Sequence, residues 1–248
     1  MSRYKLRANY DIENIDSQKM DGTVIVDVPM LSNGELNYGL SHIKKKLYEE
    51  NVYPSEIGFD IMSLATMVYM ADTRIERVVH GQDSWTREIE LEIPVSNVEI
   101  WDSQIRTVER MLKFLTGDLW KITLSSRAWQ FNNLEEVREK SNKYDEVSLF
   151  SGGMDSLIST INLMENKKNT LLISHAGEGL TKNAQKNIVN KFDLLYPDVL
   201  HTWLDLWMVF PRDYIPAGGN DNNTRSRSFL FIGYALFAMT GMDNINEL

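Results

Sequence analysis

A short glycine-containing segment carries the residues best suited to chemistry. Residues 151–156 read SGGMDS, between an apolar run at 147–150 and a segment with helical periodicity that begins at Asp155. A strand that turns directly into a helix presents unpaired backbone N–H groups and the positive end of the helix dipole. Gly152 and Gly153 let the backbone approach a phosphate group with no side chain in the way. The segment, called the SGGMDS loop below, therefore predicts a site for the phosphates of a nucleotide.

The other side chains of this loop support the same chemistry. Ser151 and Ser156 add hydroxyl donors, and the Asp155 carboxylate can hold Mg²⁺ together with phosphate oxygens. Turn-forming residues also occur in ordinary loops, so the strand-to-helix context carries the prediction. The loop lacks the lysine of a Walker loop, and its serines are not flanked as in the GxSxG elbow of hydrolases. The pattern resembles instead the pyrophosphate loop of the N-type ATP pyrophosphatases, which adenylylate an oxygen atom and release pyrophosphate.

A second group of candidate residues follows the next predicted strand, residues 170–174. It consists of His175, Gly177, Glu178 and Gly179. These residues would lie at the same edge of the sheet as the SGGMDS loop, where adenosine or an acyl acceptor would bind. As ordinary turn residues they would have no such role, and for His175 both interpretations remain open.

A pair of arginines forms the third candidate. Arg225 and Arg227 follow a long aperiodic stretch, residues 210–224, and precede a helix that is apolar nearly all round. Such long stretches are usually lids or binding segments, or they are disordered. Cations are unfavourable at a helix N-terminus, so the pair predicts an anion nearby. A catalytic role would be to neutralise the charge that develops as pyrophosphate leaves.

The composition limits the classes of protein to which this chain can belong. Its 248 residues are 43% hydrophobic, which is enough for one large domain or two smaller ones. Because it contains no cysteine, these residues form no disulfide and no cysteine-based zinc site. The net charge of −9 predicts no nucleic-acid partner. No apolar run reaches the roughly 18–20 residues that cross a bilayer and no signal peptide is evident, so we expect a cytoplasmic protein without a membrane partner.

Strands and helices alternate from residue 145 onwards. The predicted strands are 147–150, 170–174 and 199–206, and the predicted helices are 155–165, 181–195 and 227–240. This alternation predicts an α/β domain with a parallel, doubly wound sheet and ligands at the carboxyl ends of its strands. Three strands are few for such a sheet, and residues 244–248 read as the start of another. We therefore expect the domain at 145–248 to be incomplete at its C-terminus.

The first half predicts a smaller α+β domain at residues 1–125. Its predicted strands are 23–28, 86–95 and 119–124, and its predicted helices are 37–51, 55–74 and 96–117. Ser96 and Glu99 would cap the last helix, and Gly117 would end it. Residues 126–144 are polar and charged, which predicts a linker between the two domains.

Several segments of the chain resemble one enzyme family. SLFSGGMDSL at 148–157 and TRSRSFLFIGYALF at 224–237 resemble the 7-cyano-7-deazaguanine synthases, members of the N-type ATP pyrophosphatase group. The first half resembles more narrowly the QueC-like proteins of bacterial anti-phage defence systems, the Qat type in particular. The segments that carry this second resemblance are PSEIGFDIMSLATMVYMAD at 54–72, SWTREIELEIPV at 84–95 and FLTGDLW at 114–120.

The resemblance implies a fold of the ATP pyrophosphatase (adenine nucleotide alpha hydrolase-like) type and an ATP-dependent carbon–nitrogen ligase. A deazapurine carboxylate of the 7-carboxy-7-deazaguanine class would be adenylylated, and an amine would then form an amide and release AMP. In defence relatives the amine can belong to a partner protein. By motif match, the ATP-phosphate residues are Ser151, Gly152, Gly153, Asp155 and Ser156, with Mg²⁺ at Asp155, and the basic pair is Arg225 and Arg227.

The chain also departs from this family. The synthases bind zinc through a C-terminal cysteine cluster, and these residues include no cysteine. Two alternatives to the ligase remain: a non-catalytic nucleotide-fold scaffold that assembles with defence proteins, and a different N-type ATP pyrophosphatase amidoligase. No side chain is an obvious general base for the amine.

Overall fold

The computed structural model of this chain describes residues 3–131, 143–175, 179–222 and 225–243. The chain divides into two compact units. Unit 1 consists of Met1–Tyr38, Phe59–Phe131 and Phe210–Leu230, and unit 2 of Gly39–Gly58, Asn132–Val209 and Phe231–Leu248. Each unit thus combines three separate stretches, whereas the domains predicted from the sequence are continuous. Most of the predicted linker, residues 132–142, and the predicted start of a strand at 244–248 lie outside the described residues.

Unit 1 contains a mostly parallel five-stranded sheet. The strands of this unit are β1 Arg3–Asn9, β2 Asp16–Met20, β3 Thr23–Pro29, β4 Leu31–Ser32, β5 Glu35–Leu36, β6 Glu88–Val95 and β7 Leu119–Ser126. The sheet has the order β2-β3-β1-β6-β7, and only β2 is antiparallel to its neighbour. Strands β4 and β5 form a separate short pair. A parallel-dominated sheet is typical of α/β proteins, and it differs from the α+β arrangement that the sequence predicts for this half.

The difference arises from the central strand β1, which is not among the predicted strands. Tyr4, Leu6 and Ala8 are buried there and alternate with basic residues, so its apolar pattern is short. Its neighbour β6 is the strand predicted at 86–95, and the expected alternation is confirmed. On the less buried face of the sheet, the Nζ of Lys5 in β1 lies 2.9 Å from the carboxylate of Glu92 in β6. Cross-strand ion pairs therefore fill the face that is not buried.

Except for the short α3, which the sequence did not predict, the helices lie in the segments predicted to be helical, although not always with the predicted ends. They are α1 Leu40–Glu49, α2 Glu56–Arg74, α3 Arg77–His80, α4 Val98–Asp102, α5 Ile105–Thr116, α6 Met154–Glu165, α7 Gly179–Leu195 and α8 Arg227–Met239. Helix α2 is buried over most of its circumference, as its composition predicts. None of the described helices has the length and apolar character needed to span a membrane.

The helix predicted at 96–117 is two helices, and its predicted cap is wrong. Asn97, not Ser96, caps α4, because the Asn97 side chain accepts the Ile100 N–H at 3.1 Å. Ser96 instead donates its N–H and hydroxyl to the buried Asp60 carboxylate. Gly117 ends α5 with φ +78°, as predicted.

Unit 2 contains a parallel three-stranded sheet, which confirms the α/β pattern of the second half. Its strands are β8 Glu146–Leu149, β9 Thr170–His175 and β10 His201–Leu206, in the order β10-β9-β8. Helices α6 and α7 pack together on one face around Phe150, Leu172, Val189 and Phe192. Helix α6 connects β8 to β9, and α7 connects β9 to β10. Both connections step in the same direction across the sheet, so two right-handed crossovers place both helices on the same face. The reversal of strand order that characterises a doubly wound sheet does not occur among these three strands.

The other face of this sheet is covered by the C-terminal part of α8. Side chains alternate along a strand, so His175 of β9 points to the face opposite Leu172. The His175 ring packs against Phe231 and Tyr234 of α8, with centroid distances of 5.7 and 5.9 Å. Helices therefore lie on both faces, and the carboxyl ends of the strands carry the candidate loop.

The described part of the long aperiodic stretch at 210–224 is fastened to unit 1. Arg74 donates to the Phe210 and Pro211 carbonyls at 2.6 and 2.7 Å. Further along, the Tyr4 hydroxyl donates to the Ala217 carbonyl at 2.9 Å, and Ile215 is buried. These contacts attach residues 210–222 at several points, which differs from a free lid.

Candidate functional site

The SGGMDS loop lies where the sequence places it, between β8 and α6. The Phe150 N–H donates to the Ile173 carbonyl at 2.7 Å and extends the pairing of β8 with β9 up to the loop. Gly153 is the N-cap residue of α6, and the first helical bond runs from Leu157 N to Gly153 O at 3.0 Å. The predicted succession of strand, tight turn and helix is therefore confirmed.

The backbone of this loop exposes a set of donors. The Gly153 N–H donates to the Ser151 hydroxyl at 3.3 Å. No atom of the described residues accepts the remaining N–H groups, which belong to Ser151, Gly152, Met154, Asp155 and Ser156. No side chain caps α6, although Ser, Thr, Asn or Asp usually does so. Unpaired N–H groups at a helix N-terminus are suited to binding an anion, because the helix dipole adds to their positive partial charges.

The two glycines serve different purposes. Gly152 has φ +82°, a conformation that residues with a side chain rarely adopt. A Cβ atom there would lie 2.9 Å from Cγ of Gln185. Gly153 has an ordinary φ of −85°, and the nearest atom to an added Cβ would be the Ser151 hydroxyl oxygen at 3.5 Å. Gly152 is therefore required by the fold of the loop, whereas Gly153 keeps its outer side open.

The serine hydroxyls form a network inside the loop. Ser151 Oγ donates to Ser156 Oγ at 3.1 Å, and Ser156 Oγ donates to the Gly153 carbonyl at 3.0 Å. Ser151 is exposed, so its hydroxyl can turn towards a ligand. The network holds the two ends of the loop together.

Asp155 is the candidate magnesium ligand. It lies exposed in the first turn of α6, and its carboxylate makes no hydrogen bond or ion pair with other described residues. Across the described ranges no three His, Cys, Asp or Glu side chains are grouped for a metal. Mg²⁺ commonly takes one or two carboxylates and completes its coordination with phosphate oxygens and water. Asp155 fits that role.

Gln185 is a residue of this site that the sequence interpretation missed. It is 0% exposed, and its Nε2 donates to the Ser151 carbonyl at 3.0 Å and to the Phe150 carbonyl at 3.5 Å. It shares the buried face of α7 with Val189 and Phe192. One signal was present in the sequence, because a glutamine within an apolar helical stripe is unusual.

His175, predicted to contact the nucleotide, is buried at the carboxyl end of β9. Its exposed fraction is 2%, and the Phe231 and Tyr234 rings enclose it. Packing accounts for this position, and a role in nucleotide binding stays a prediction. Gly177 and Glu178 lie outside the described residues. Gly179 begins α7 and is exposed.

Arg225 and Arg227 lie in unit 1, whereas the SGGMDS loop and His175 lie in unit 2. The Arg225 guanidinium stacks on Trp85, 4.1 Å from the ring centroid, and donates to the Thr116 carbonyl at 2.9 Å. Arg227 is half-buried at the start of α8. Its positive charge lowers the pKa of Tyr69, although burial raises that pKa by more.

The sequence predicts an anion near Arg225 and Arg227, and one such anion is a side chain of the protein itself, the Asp72 carboxylate. Ser226, between them, donates its N–H and its hydroxyl to Asp72 at 2.8 and 2.9 Å. The Asp72 carboxylate thus sits at the N-terminus of α8 and offsets part of the unfavourable charge there. A catalytic role for Arg225 and Arg227 stays a prediction.

Asp72 belongs to a buried charge cluster that the sequence interpretation also missed. Arg87 Nη2 contacts Asp72 and Asp118 at 2.6 and 2.7 Å, and Arg77 contacts Asp118 at 2.6 Å. Burial alone would raise the pKa of Asp118, but hydrogen bonds from Arg87 and the charges of Arg87 and Arg77 outweigh it and lower that pKa. Such a cluster holds distant segments in one arrangement.

Comparisons with known proteins assign neither a family nor a function to this chain. No family model matches this chain, and neither the curated proteins nor the solved structures contain a match. The geometry of the SGGMDS loop and the family resemblance of the sequence are therefore the grounds for a functional proposal.

Proposed function

We propose that this chain is an ATP-dependent carbon–nitrogen ligase that holds the phosphates of ATP in the SGGMDS loop. One observation carries the proposal: five backbone N–H groups without acceptors in the described residues meet at the N-terminus of α6. This arrangement attracts phosphate because it combines hydrogen-bond donors with the helix dipole. The location at the carboxyl end of a parallel strand is also where α/β sheets bind ligands.

The resemblance to the 7-cyano-7-deazaguanine synthases supports the choice of acid, a deazapurine carboxylate of the 7-carboxy-7-deazaguanine class. A carboxylate oxygen attacks the α-phosphorus of ATP, and the bond to pyrophosphate breaks. An amine then attacks the acyl carbon, forms the amide and releases AMP. As part of the same proposal, the amine belongs to a partner protein, and the ligase reaction serves anti-phage defence.

Magnesium would supply positive charge that neutralises the phosphate oxygens. Asp155 is the residue that fits this ion, because it is exposed beside the open N–H groups and has no other partner among the described residues. The protein's own contribution is to hold the phosphates with backbone donors whose geometry is set before the ligand arrives.

The test measures pyrophosphate release from ATP by the purified chain with 7-carboxy-7-deazaguanine, Mg²⁺ and an amine. We expect release that requires both ATP and the acid, and a fall of about 100-fold in Asp155→Ala, the order found when an electrostatic group is lost. Asp198→Ala is the matched control, because Asp198 is also an exposed aspartate of unit 2.

The outcomes separate the candidates. Tight ATP binding without pyrophosphate release, in the presence of acid and amine, would support the non-catalytic scaffold instead of the ligase. Failure of the wild-type chain to bind ATP would contradict both. Release that depends on a different acid would retain the pyrophosphatase chemistry and support the alternative of another amidoligase.

A further inference from the structure

Gln185 is a polar residue in a place where an apolar one would be expected. The buried face of α7 contains Gln185, Val189 and Phe192, and the last two belong to the core between α7 and the sheet. Burying a primary amide costs free energy unless its polar atoms are hydrogen-bonded. Only the donor end of Gln185 is satisfied, since Oε1 has no hydrogen-bond partner within the described residues. The hydrogen bonds that its Nε2 group donates are therefore the reason we infer for a glutamine at this position.

The acceptors of Nε2 are two consecutive carbonyls where β8 leads into the SGGMDS loop, those of Phe150 and Ser151. In a planar trans peptide, the C=O of one residue and the N–H of the next point in opposite directions. No cis peptide occurs among the described residues. Holding the Phe150 and Ser151 carbonyls towards Gln185 therefore turns the N–H groups of Ser151 and Gly152 away from it. These are two of the open donors of the loop.

The close approach of Gln185 also depends on Gly152. A Cβ atom at residue 152 would lie 2.9 Å from Gln185 Cγ, which is too short for a normal contact. The positive φ of Gly152 and the position of the aliphatic part of the Gln185 side chain therefore depend on each other. Loop and helix α7 fit together only with glycine at 152 and a slender side chain at 185.

We propose that Gln185 is the positioning residue of the SGGMDS loop. Its amide fixes the peptide planes that follow Phe150 and Ser151, so that the Ser151 and Gly152 N–H groups face a phosphate before the ligand binds. Preformed donors bind an anion more tightly because the loop loses less conformational entropy on binding. The inference rests on the proposed nucleotide-binding function and extends it to a residue outside the loop.

Two substitutions separate the donor role of Gln185 from its role in packing. Gln185→Met keeps length and volume but removes the donor, and we expect ATP affinity to fall about tenfold, the equivalent of one hydrogen bond. Gln185→Glu places a carboxylate beside two carbonyls and lowers affinity further at pH 8. When the pH falls and the buried carboxyl becomes protonated, its O–H donates as the amide did, and affinity recovers.

The measurement is an ATP titration of each folded variant at several pH values, expressed relative to the wild-type affinity at the same pH. Lys186→Met, at an exposed neighbouring position of α7, is the control and should match the wild type. Because an ionised side chain at this buried position also disturbs packing, the free energy of unfolding is measured at the same pH values, and the readout of donation is recovery of ATP affinity in a variant that is folded throughout. That recovery therefore supports positioning even if Gln185→Met proves too unstable to measure.

The outcomes also separate this inference from the proposed function. If the wild type binds ATP and Gln185→Met binds it equally well, only the inference is overturned. It is likewise overturned if Gln185→Glu shows a constant affinity ratio from pH 8 to pH 5. If the wild type itself binds no ATP, the proposed function fails, and the positioning role fails with it.

Discussion

At the residue scale, the two adjacent glycines of the SGGMDS loop have separable roles. The backbone of Gly152 adopts φ +82° against Gln185, whereas the backbone of Gly153 is ordinary and open on its outer side. The sequence predicts correctly that both glycines belong to a tight turn. It does not distinguish them, because the difference depends on where α7 packs, and α7 is remote in sequence.

This difference predicts opposite patterns for two matched substitutions. Gly152→Ala should lower the free energy of unfolding by about 1–2 kcal/mol, the cost of a left-handed conformation with a Cβ atom. It should also weaken ATP binding. Gly153→Ala should leave the free energy of unfolding nearly unchanged and weaken ATP binding alone, because a methyl group would then lie beside the open N–H groups. Urea unfolding and ATP titration measure the two effects, and equal destabilisation by both alanines would contradict this account.

At the element scale, local periodicity predicted most helices and strands, and tertiary contacts decided their ends. The strand β6 and the helix α2 have long, regular patterns that need no distant partner to be recognised. The start of α4 was mispredicted, because Ser96 and Asn97 can both cap a helix. The Asp60 carboxylate accepts the N–H and the hydroxyl of Ser96, so the Ser96 side chain is not used as a cap. Asn97 caps the helix instead.

We predict that Asn97→Ala lowers the free energy of unfolding by about 1 kcal/mol through loss of the cap. Asn97→Ser should restore most of the loss, because a serine oxygen can also accept the Ile100 N–H. Ser96→Ala should cost more, about 1.5–3 kcal/mol, since it removes a hydrogen bond to the buried charge of Asp60. Chemical unfolding of the three variants measures these values. Unchanged stability in Asn97→Ala, or no restoration by Asn97→Ser, would contradict the assignment of the cap.

At the scale of the whole molecule, the discontinuous units and the central strand β1 lay beyond prediction from the sequence. β1 pairs with β3 and β6 through long-range contacts, and its own residues carry a weak apolar pattern. The buried charge cluster of unit 1 joins residues that are far apart along the chain, Asp72, Arg87 and Asp118. Each residue looks like an ordinary surface charge in the sequence, because only the fold brings them together.

This cluster predicts how stability depends on pH. The pKa of Asp118 is lowered in the folded state, so its contribution to stability is complete above the unfolded-state pKa of about 4 and is lost as the pH falls through the folded-state pKa. Asp118→Asn should lower the free energy of unfolding at pH 7 by about 3–5 kcal/mol, because it leaves buried arginines with too little negative charge.

Urea unfolding between pH 7 and pH 3 tests that prediction. The wild type should lose stability over the acid part of this range more steeply than Asp118→Asn. As the control, Lys121→Ala removes an exposed ion pair with Glu90 and should cost less than about 1 kcal/mol. Parallel pH profiles for the wild type and Asp118→Asn would show that Asp118 does not carry this dependence.

The central claim is that the SGGMDS loop holds the phosphates of ATP, and backbone amide NMR tests it most directly. In a titration of the ¹⁵N-labelled chain with magnesium pyrophosphate and then with Mg-ATP, both ligands should shift the amide resonances of Ser151, Gly152, Met154, Asp155 and Ser156. The same resonances should remain unshifted with adenosine alone. Shifts confined to other parts of the chain, or none with either phosphate ligand, would contradict the account.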